Sequence, residues 1–119
     1  MAVTFYWYPK CSTCKNAKKW LEGHSIPLNE VHIVENAPSK EVLTELYETS
    51  GMELKKFFNT SGMKYRELGL KDKLKTMTED EMLDLLSTDG MLVKRPIVTD
   101  GKKVTVGFNE KQFEDTWLS

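Results

Sequence analysis

Val3-Thr4-Phe5-Tyr6-Trp7-Tyr8-Pro9-Lys10-Cys11-Ser12-Thr13-Cys14 is the stretch on which the reading of this chain turns. Its first six residues are β-branched or aromatic and stop at Pro9, the composition of a buried strand that runs into a loop. From Ser12 to Glu22 the apolar positions Cys14, Ala17 and Leu21 recur at helical spacing with lysines between them, and Gly23 stands where a C-terminal cap belongs. The strand therefore delivers Cys11 to the N-terminus of a helix and places Cys14 one turn into it.

That placement carries chemistry. The thiolate is the reactive form of cysteine, and unpaired backbone N–H groups together with the helix macrodipole favour it over the thiol. Lys10 and Lys15 flank the pair and push the same way. A mixed disulfide formed on Cys11 lies within reach of Cys14, so the spacing assigns Cys11 as nucleophile and Cys14 as resolving thiol. A bridge between them closes almost no chain loop and could hardly stabilise the fold. The plainer alternative makes Cys14 a small buried hydrophobe. Zinc is the other use of this spacing, yet there is no second C-x-x-C, and His24 and His32 show no ligand rhythm. Neither metal nor cofactor is expected, and both histidines are read as structural.

Further along, Val31 and Ile33 alternate within a second strand from Asn29 to Val34, and Pro38-Ser39 before Lys40 and Glu41 starts another helix. From Ser39 to about Thr88 the pattern is helical, with breaks at Gly51, Gly62 and Gly69. This is too much helix for one crossover, so a helical insert is expected at about 39–90. Thr78 and Glu81 form a capping box, with Met77 and Met82 placed as a hydrophobic staple. Met82, Leu83, Leu85 and Leu86 then belong to the core, as do Phe57 and Phe58, while Tyr65 and Arg66 are read as surface residues.

Pro96 to Thr99, Asp100-Gly101, and Lys103 to Val106 read as a hairpin with a tight type I′ turn. Asn109 and Gln112 form a second capping box, opening a last helix that buries Phe113 and Trp117. Arg95-Pro96 either begins the strand or forms a cis-proline facing the thiols, with Arg95 supplying positive charge. The order is βαβ, helices, ββα: an α/β chain with a mixed sheet, read as one domain over 1–119.

Composition narrows the function classes. The chain of 119 residues is 39% hydrophobic and carries 17 basic against 18 acidic residues, for a net charge of −1. Such a balance gives no overall field for nucleic acid, and no direct nucleic-acid contact is expected. No apolar run approaches the ~20 residues of a membrane span, and the N-terminus enters the first strand without a basic leader. A cytoplasmic protein off the membrane is expected. The lysines Lys10, Lys15, Lys18 and Lys19 could attract an anion, although exposed helix lysines such as Lys18 and Lys19 ordinarily serve solvation.

Taken together, five ordered motifs carry a family resemblance. They are Tyr8-Pro9-Lys10-Cys11-Ser12-Thr13-Cys14, Asn59-Thr60, Tyr65-Arg66-Glu67-Leu68-Gly69-Leu70, Lys94-Arg95-Pro96-Ile97 and Val106-Gly107-Phe108-Asn109-Glu110. Through them nearly the whole chain resembles the arsenate reductase (ArsC) family, including its Spx-type regulators. The resemblance implies a thioredoxin-like fold with a helical insert. It also implies that Cys11 is the nucleophile and Arg95 an anion contact; beside Arg95, Lys10, Thr13 and Pro96 are candidate anion- or substrate-binding residues.

Family reductases attack arsenate with the matching cysteine, and the adduct is reduced by glutathione and glutaredoxin. Thioredoxin, glutaredoxin or a low-molecular-weight thiol is accordingly the implied electron donor. Glutaredoxin-linked members hold the oxyanion with three arginines, of which the other two positions fall here on Asn59 and Gly107. Those reductases usually carry serine at Cys14, whereas Spx regulators carry a C-x-x-C and a Val-Gly-aromatic-Asn-Glu segment like Val106 to Glu110.

The regulators bind the C-terminal domain of the RNA polymerase α subunit. Gly51 falls near a glycine of that contact, or is simply a helix cap. The regulators also run well beyond the last helix, whereas here only Leu118 and Ser119 follow Trp117. Three functions stand as expectations: a thiol-disulfide oxidoreductase, a non-enzymatic redox switch that meets RNA polymerase, and an authentic arsenate reductase.

Overall fold

A computed structural model describes residues 2–118. In chain order its elements are β1 (Val3–Trp7), α1 (Ser12–Gly23), β2 (Leu28–His32), α2 (Lys40–Ser50), α3 (Met63–Glu67), α4 (Leu70–Lys73), α5 (Glu79–Thr88), β3 (Ile97–Thr99), β4 (Val104–Val106) and α6 (Glu110–Trp117). Short 3-10 turns occupy Leu54–Phe57 and Gly90–Leu92. This is the mixed α/β order expected from the sequence. The chain divides into two compact units, Met1–His32 with Arg95–Ser119, and Ile33–Lys94.

The first unit is built on a four-stranded sheet in the order β2-β1-β3-β4. β1 pairs in parallel with β2 and antiparallel with β3, which in turn pairs antiparallel with β4. Val3 and Phe5 alternate to one face of β1 and join Val98, Ala17, Leu21 and Phe113 in one buried cluster. Phe113 of α6 meets the edges of Trp20 and Phe108 at centroid distances of 5.3 and 4.9 Å. Full burial of a ring such as Phe5 or Phe113 contributes about 1.5–3 kcal/mol, which fixes α1 and α6 against the sheet.

Four local expectations are corrected. β2 ends at His32, not Val34, because β1 offers no partner beyond the Trp7↔His32 pair; Ile33 is buried outside the strand. Gly23 closes α1 as its last helical residue, and the left-handed residue after it is Ser25, at φ 60°. The β3–β4 connection is a four-residue loop rather than a type I′ turn. The Asp100 carboxylate accepts the backbone N–H groups of Lys102 and Lys103 at 2.9 and 2.8 Å, drawing both into the loop. Asn109 caps α6 through the Gln112 N–H at 3.1 Å, while Trp117 is only half-buried.

The second unit, Ile33–Lys94, is the helical segment. Ser39 caps α2 by accepting the Val42 N–H at 3.2 Å, and Gly51 ends it at φ 67°. The Thr78–Glu81 capping box is complete in both directions. α2 packs on α5 through buried Leu43, Leu46, Leu83 and Leu86, with Phe57 and Phe58 also fully inside; Leu85 is half-buried instead. Phe58 bridges to Val93, and the Lys94 N–H donates to the Phe57 carbonyl at 2.8 Å, closing the unit. Gly90 lies so close to the backbone of Ile33 that a Cβ there would come 2.0 Å from its carbonyl oxygen.

Candidate functional site

Pro9 lacks an N–H and ends the β1 segment, after which the Cys11 N–H donates back to the Tyr8 carbonyl at 2.9 Å. That turn sets Cys11 at the N-cap of α1 in extended conformation (φ −91°, ψ 118°), with its carbonyl accepting the Lys15 N–H at 3.1 Å. Cys11 is partly exposed, Cys14 is fully buried among the α1 core positions, and the two are unbridged. The sequence thus located both thiols correctly on the helix.

The acidities of the two sulfurs are shifted in opposite directions. Burial works against ionisation of Cys11, but the Cys14 backbone N–H and thiol both point to its sulfur and the Arg95 guanidinium stands beside it. Together these hold its pKa below the ordinary thiol value. Although no oxygen caps this helix, the Cys11 sulfur takes up part of that role toward the free first-turn N–H groups. Cys14 is pushed up to about 12, first by burial and then by its hydrogen bond to Cys11 and the charge there; the Tyr8 N–H and Arg95 oppose this only in part.

Arg95 comes from the other end of the chain. It precedes β3 and is joined to Pro96 by a cis peptide bond; the buried Pro96 carbonyl accepts the Gly107 N–H at 2.8 Å. Gly107 has φ 84°, a left-handed conformation open to glycine and unfavourable for a residue with a side chain such as the arginine that the family resemblance would place there. Asn59, the other such position, lies in the helical unit, where its N–H donates to the Leu92 carbonyl at 2.8 Å. Lys10 and Thr13 are exposed, and the positive charge that lowers the Cys11 pKa is that of Arg95.

One residue was missed by sequence reasoning. The Tyr8 ring lies under the Arg95 guanidinium at 5.3 Å, and the His32 ring meets it edge-on at 5.7 Å. Its sequence signals were an aromatic directly before Pro9, read as the end of a strand, and its place at the head of the Tyr8–Cys14 motif, where no role was assigned to it. His24 stacks on Trp20 at 4.1 Å, with its Nδ1 2.8 Å from the Trp20 carbonyl oxygen. Lys18 pairs with Glu30 at 3.3 Å above the Trp7 ring. Among the described residues no cluster of His, Cys, Asp or Glu is placed to hold a metal, and no helix is long and apolar enough to cross a membrane.

Comparison with known proteins places these features in context. A model described as the ArsC family matches residues 6–116. The chain is 68% identical over 98% of its length to the uncharacterized protein YusI of Bacillus subtilis, covering 99% of that protein. It is 34% identical over 90% of its length to the regulatory protein MgsR of the same organism, covering 83% of it. A crystal structure of a putative ArsC family related protein from Bacteroides fragilis superposes with a TM-score of 0.93 at 48% identity, covering 97% of both chains.

Proposed function

The chain belongs to the ArsC family, and from that premise we propose that it is a thiol-disulfide oxidoreductase with Cys11 as nucleophile and Cys14 as resolving thiol. The observation that carries this reading is the split between the sulfurs: Cys11 accessible and disposed to ionise, Cys14 buried and kept protonated behind it.

In the first step the Cys11 thiolate attacks one sulfur of a substrate disulfide. That bond breaks as the Cys11–substrate bond forms, and the other substrate sulfur leaves as a thiolate, which is protonated. With Cys11 tied up in a mixed disulfide, its negative charge no longer holds the proton on Cys14. Cys14 then loses that proton to solvent, attacks the Cys11 sulfur and expels the second thiolate. Two electrons have passed to the substrate. A dithiol protein such as thioredoxin or glutaredoxin, or a low-molecular-weight thiol, returns them by reducing the Cys11–Cys14 disulfide.

A disulfide is preferred over arsenate as substrate class because Arg95 is the one arginine of the three positions. Each charged hydrogen bond to an anion is typically worth about 1.5–3 kcal/mol, so two absent arginines weaken oxyanion binding by orders of magnitude. The test is disulfide reduction by the wild type and by the Cys11→Ser and Cys14→Ser variants, alongside Cys11 alkylation against pH. A Cys11 midpoint at the free-thiol value of ~8.5, with activity unaffected by either substitution, would overturn the proposal.

Similarity to MgsR supports a second reading, a redox switch in which the Cys11–Cys14 disulfide changes a partner-binding surface, the RNA polymerase α subunit being the partner the family resemblance suggests. Pull-downs with reduced and oxidised protein test it; polymerase captured in neither state would count against it.

A further inference from the structure

Resting on the thiol chemistry proposed above, we infer that Tyr8 is a positioning residue, whose ring seats the Arg95 guanidinium beside the Cys11 sulfur and so acts on the nucleophile through Arg95. The geometry follows from strand pairing. β1 and β3 pair with Tyr6 opposite Ile97, and continuing that register by two residues sets Tyr8 opposite Arg95. The parallel register Trp7↔His32 brings the His32 ring edge-on to Tyr8 at 5.7 Å, a second ring contact on the same side chain.

A guanidinium at the end of a flexible stem samples many positions unless something fixes it. Here it lies 5.3 Å from the centre of a half-buried aromatic ring, where the attraction of cation for π-face is screened less than in open water. The same residue frames both thiols through its main chain: the Tyr8 carbonyl accepts the Cys11 N–H, and the Tyr8 N–H is directed at the Cys14 sulfur. Those two contacts survive any side-chain substitution, so the contribution of the ring can be measured separately. The titratable groups acting on Cys11 are Cys14 and Arg95; Lys10 and Lys15 neighbour it in the chain but are exposed, and His32 contacts the Tyr8 ring.

The experiment is the pH dependence of Cys11 alkylation, located by mass spectrometry, in the reduced full-length wild type and in Tyr8→Phe, Tyr8→Leu, Arg95→Ala and the Tyr8→Leu/Arg95→Ala double variant. Tyr8→Phe keeps the ring face and holds its rate within about twofold of wild type, whereas Tyr8→Leu moves the midpoint upward and slows alkylation at pH 7 by about three- to tenfold. Arg95→Ala does at least as much, and adding Tyr8→Leu to it changes nothing further, the signature of two residues acting as one unit.

The proposal is overturned if folded Tyr8→Leu keeps the wild-type profile, if it slows the reaction equally with and without Arg95, or if Tyr8→Phe loses as much as Tyr8→Leu. Circular dichroism checks each fold, and Tyr8→Gln replaces Tyr8→Leu in the same comparison if the latter does not fold. A wild-type Cys11 that titrates as a free thiol defeats the redox reading itself; a low wild-type midpoint unmoved by Tyr8→Leu defeats the role of Tyr8 alone.

Discussion

The Cys14 thiol, fully buried on α1, donates to the sulfur of Cys11 at the N-cap of that helix. This bond pushes the two groups apart in acidity: a donor stabilises the Cys11 thiolate, and the thiolate in turn holds the proton on Cys14. The pair is therefore one unit whose members are shifted in opposite directions, Cys11 toward the thiolate and Cys14 toward the thiol. Its consequences reach both catalysis and stability.

The stability consequence has a definite sign. Cys14 rises in the folded state from 9.0 to about 12, so the stability it contributes is complete below pH 9 and is lost as pH climbs from 9 toward 12. Cys11 is shifted the other way; its contribution is complete above pH 9 and is lost as pH falls through its lowered value. Urea unfolding under reducing conditions between pH 9 and 11 is expected to show a steeper loss of stability for the wild type than for Cys14→Ala. Parallel curves would contradict it.

The catalytic consequence is a trap. Cys14→Ser leaves the Cys11 nucleophile in place but removes the resolving sulfur, so incubation with a small disulfide should accumulate a mixed disulfide on Cys11. Intact-mass spectrometry reads it directly. The wild type should instead show the mass of the internal disulfide, and Cys11→Ser should carry no adduct.

Two glycines make opposite predictions. A Cβ on Gly90 would lie 2.0 Å from the Ile33 carbonyl oxygen and 2.7 Å from its carbon, both backbone atoms that cannot rotate away. Gly90→Ala is expected to destabilise by about 1–3 kcal/mol. Gly23 has nothing within 4 Å of the added Cβ and sits in the last turn of α1, so Gly23→Ala should stabilise by about 0.4–1 kcal/mol. Equilibrium denaturation of the two variants separates them by sign.

Thr78 tests the helical unit. Its hydroxyl accepts the Glu81 N–H at 3.1 Å, and its own N–H donates to the Glu81 carboxylate at 2.9 Å. Thr78→Ala removes the first bond and should cost about 1 kcal/mol in urea denaturation, while Thr78→Ser should retain most of it.

The elements that were legible in the sequence are those whose signals are local. The Thr78 box, the Ser39 cap and the Gly51 terminus each lie within a few residues of the helix end they define, and each was found. Expectations failed where a contact outside the local pattern intervened. Ile33 continued the alternation of β2 but had no partner on β1, and Gly23 resembled a cap although the chain reverses two residues later at Ser25. Asp100-Gly101 suggested a two-residue turn, but the Asp100 carboxylate gathered two further N–H groups.

The site divides along the same line. Sequence alone determined that Cys11 stands at the start of α1 and Cys14 one turn inside it, because helix phase and the stop at Pro9 are set by neighbouring residues. Tertiary structure decided what those thiols meet. Arg95 reaches Cys11, and the Tyr8 ring lies beneath it, only because β3 pairs antiparallel with β1 in the register that sets Tyr6 opposite Ile97. Strand register is fixed by which side chains the shared core can bury, a property of the folded sheet that no single segment carries.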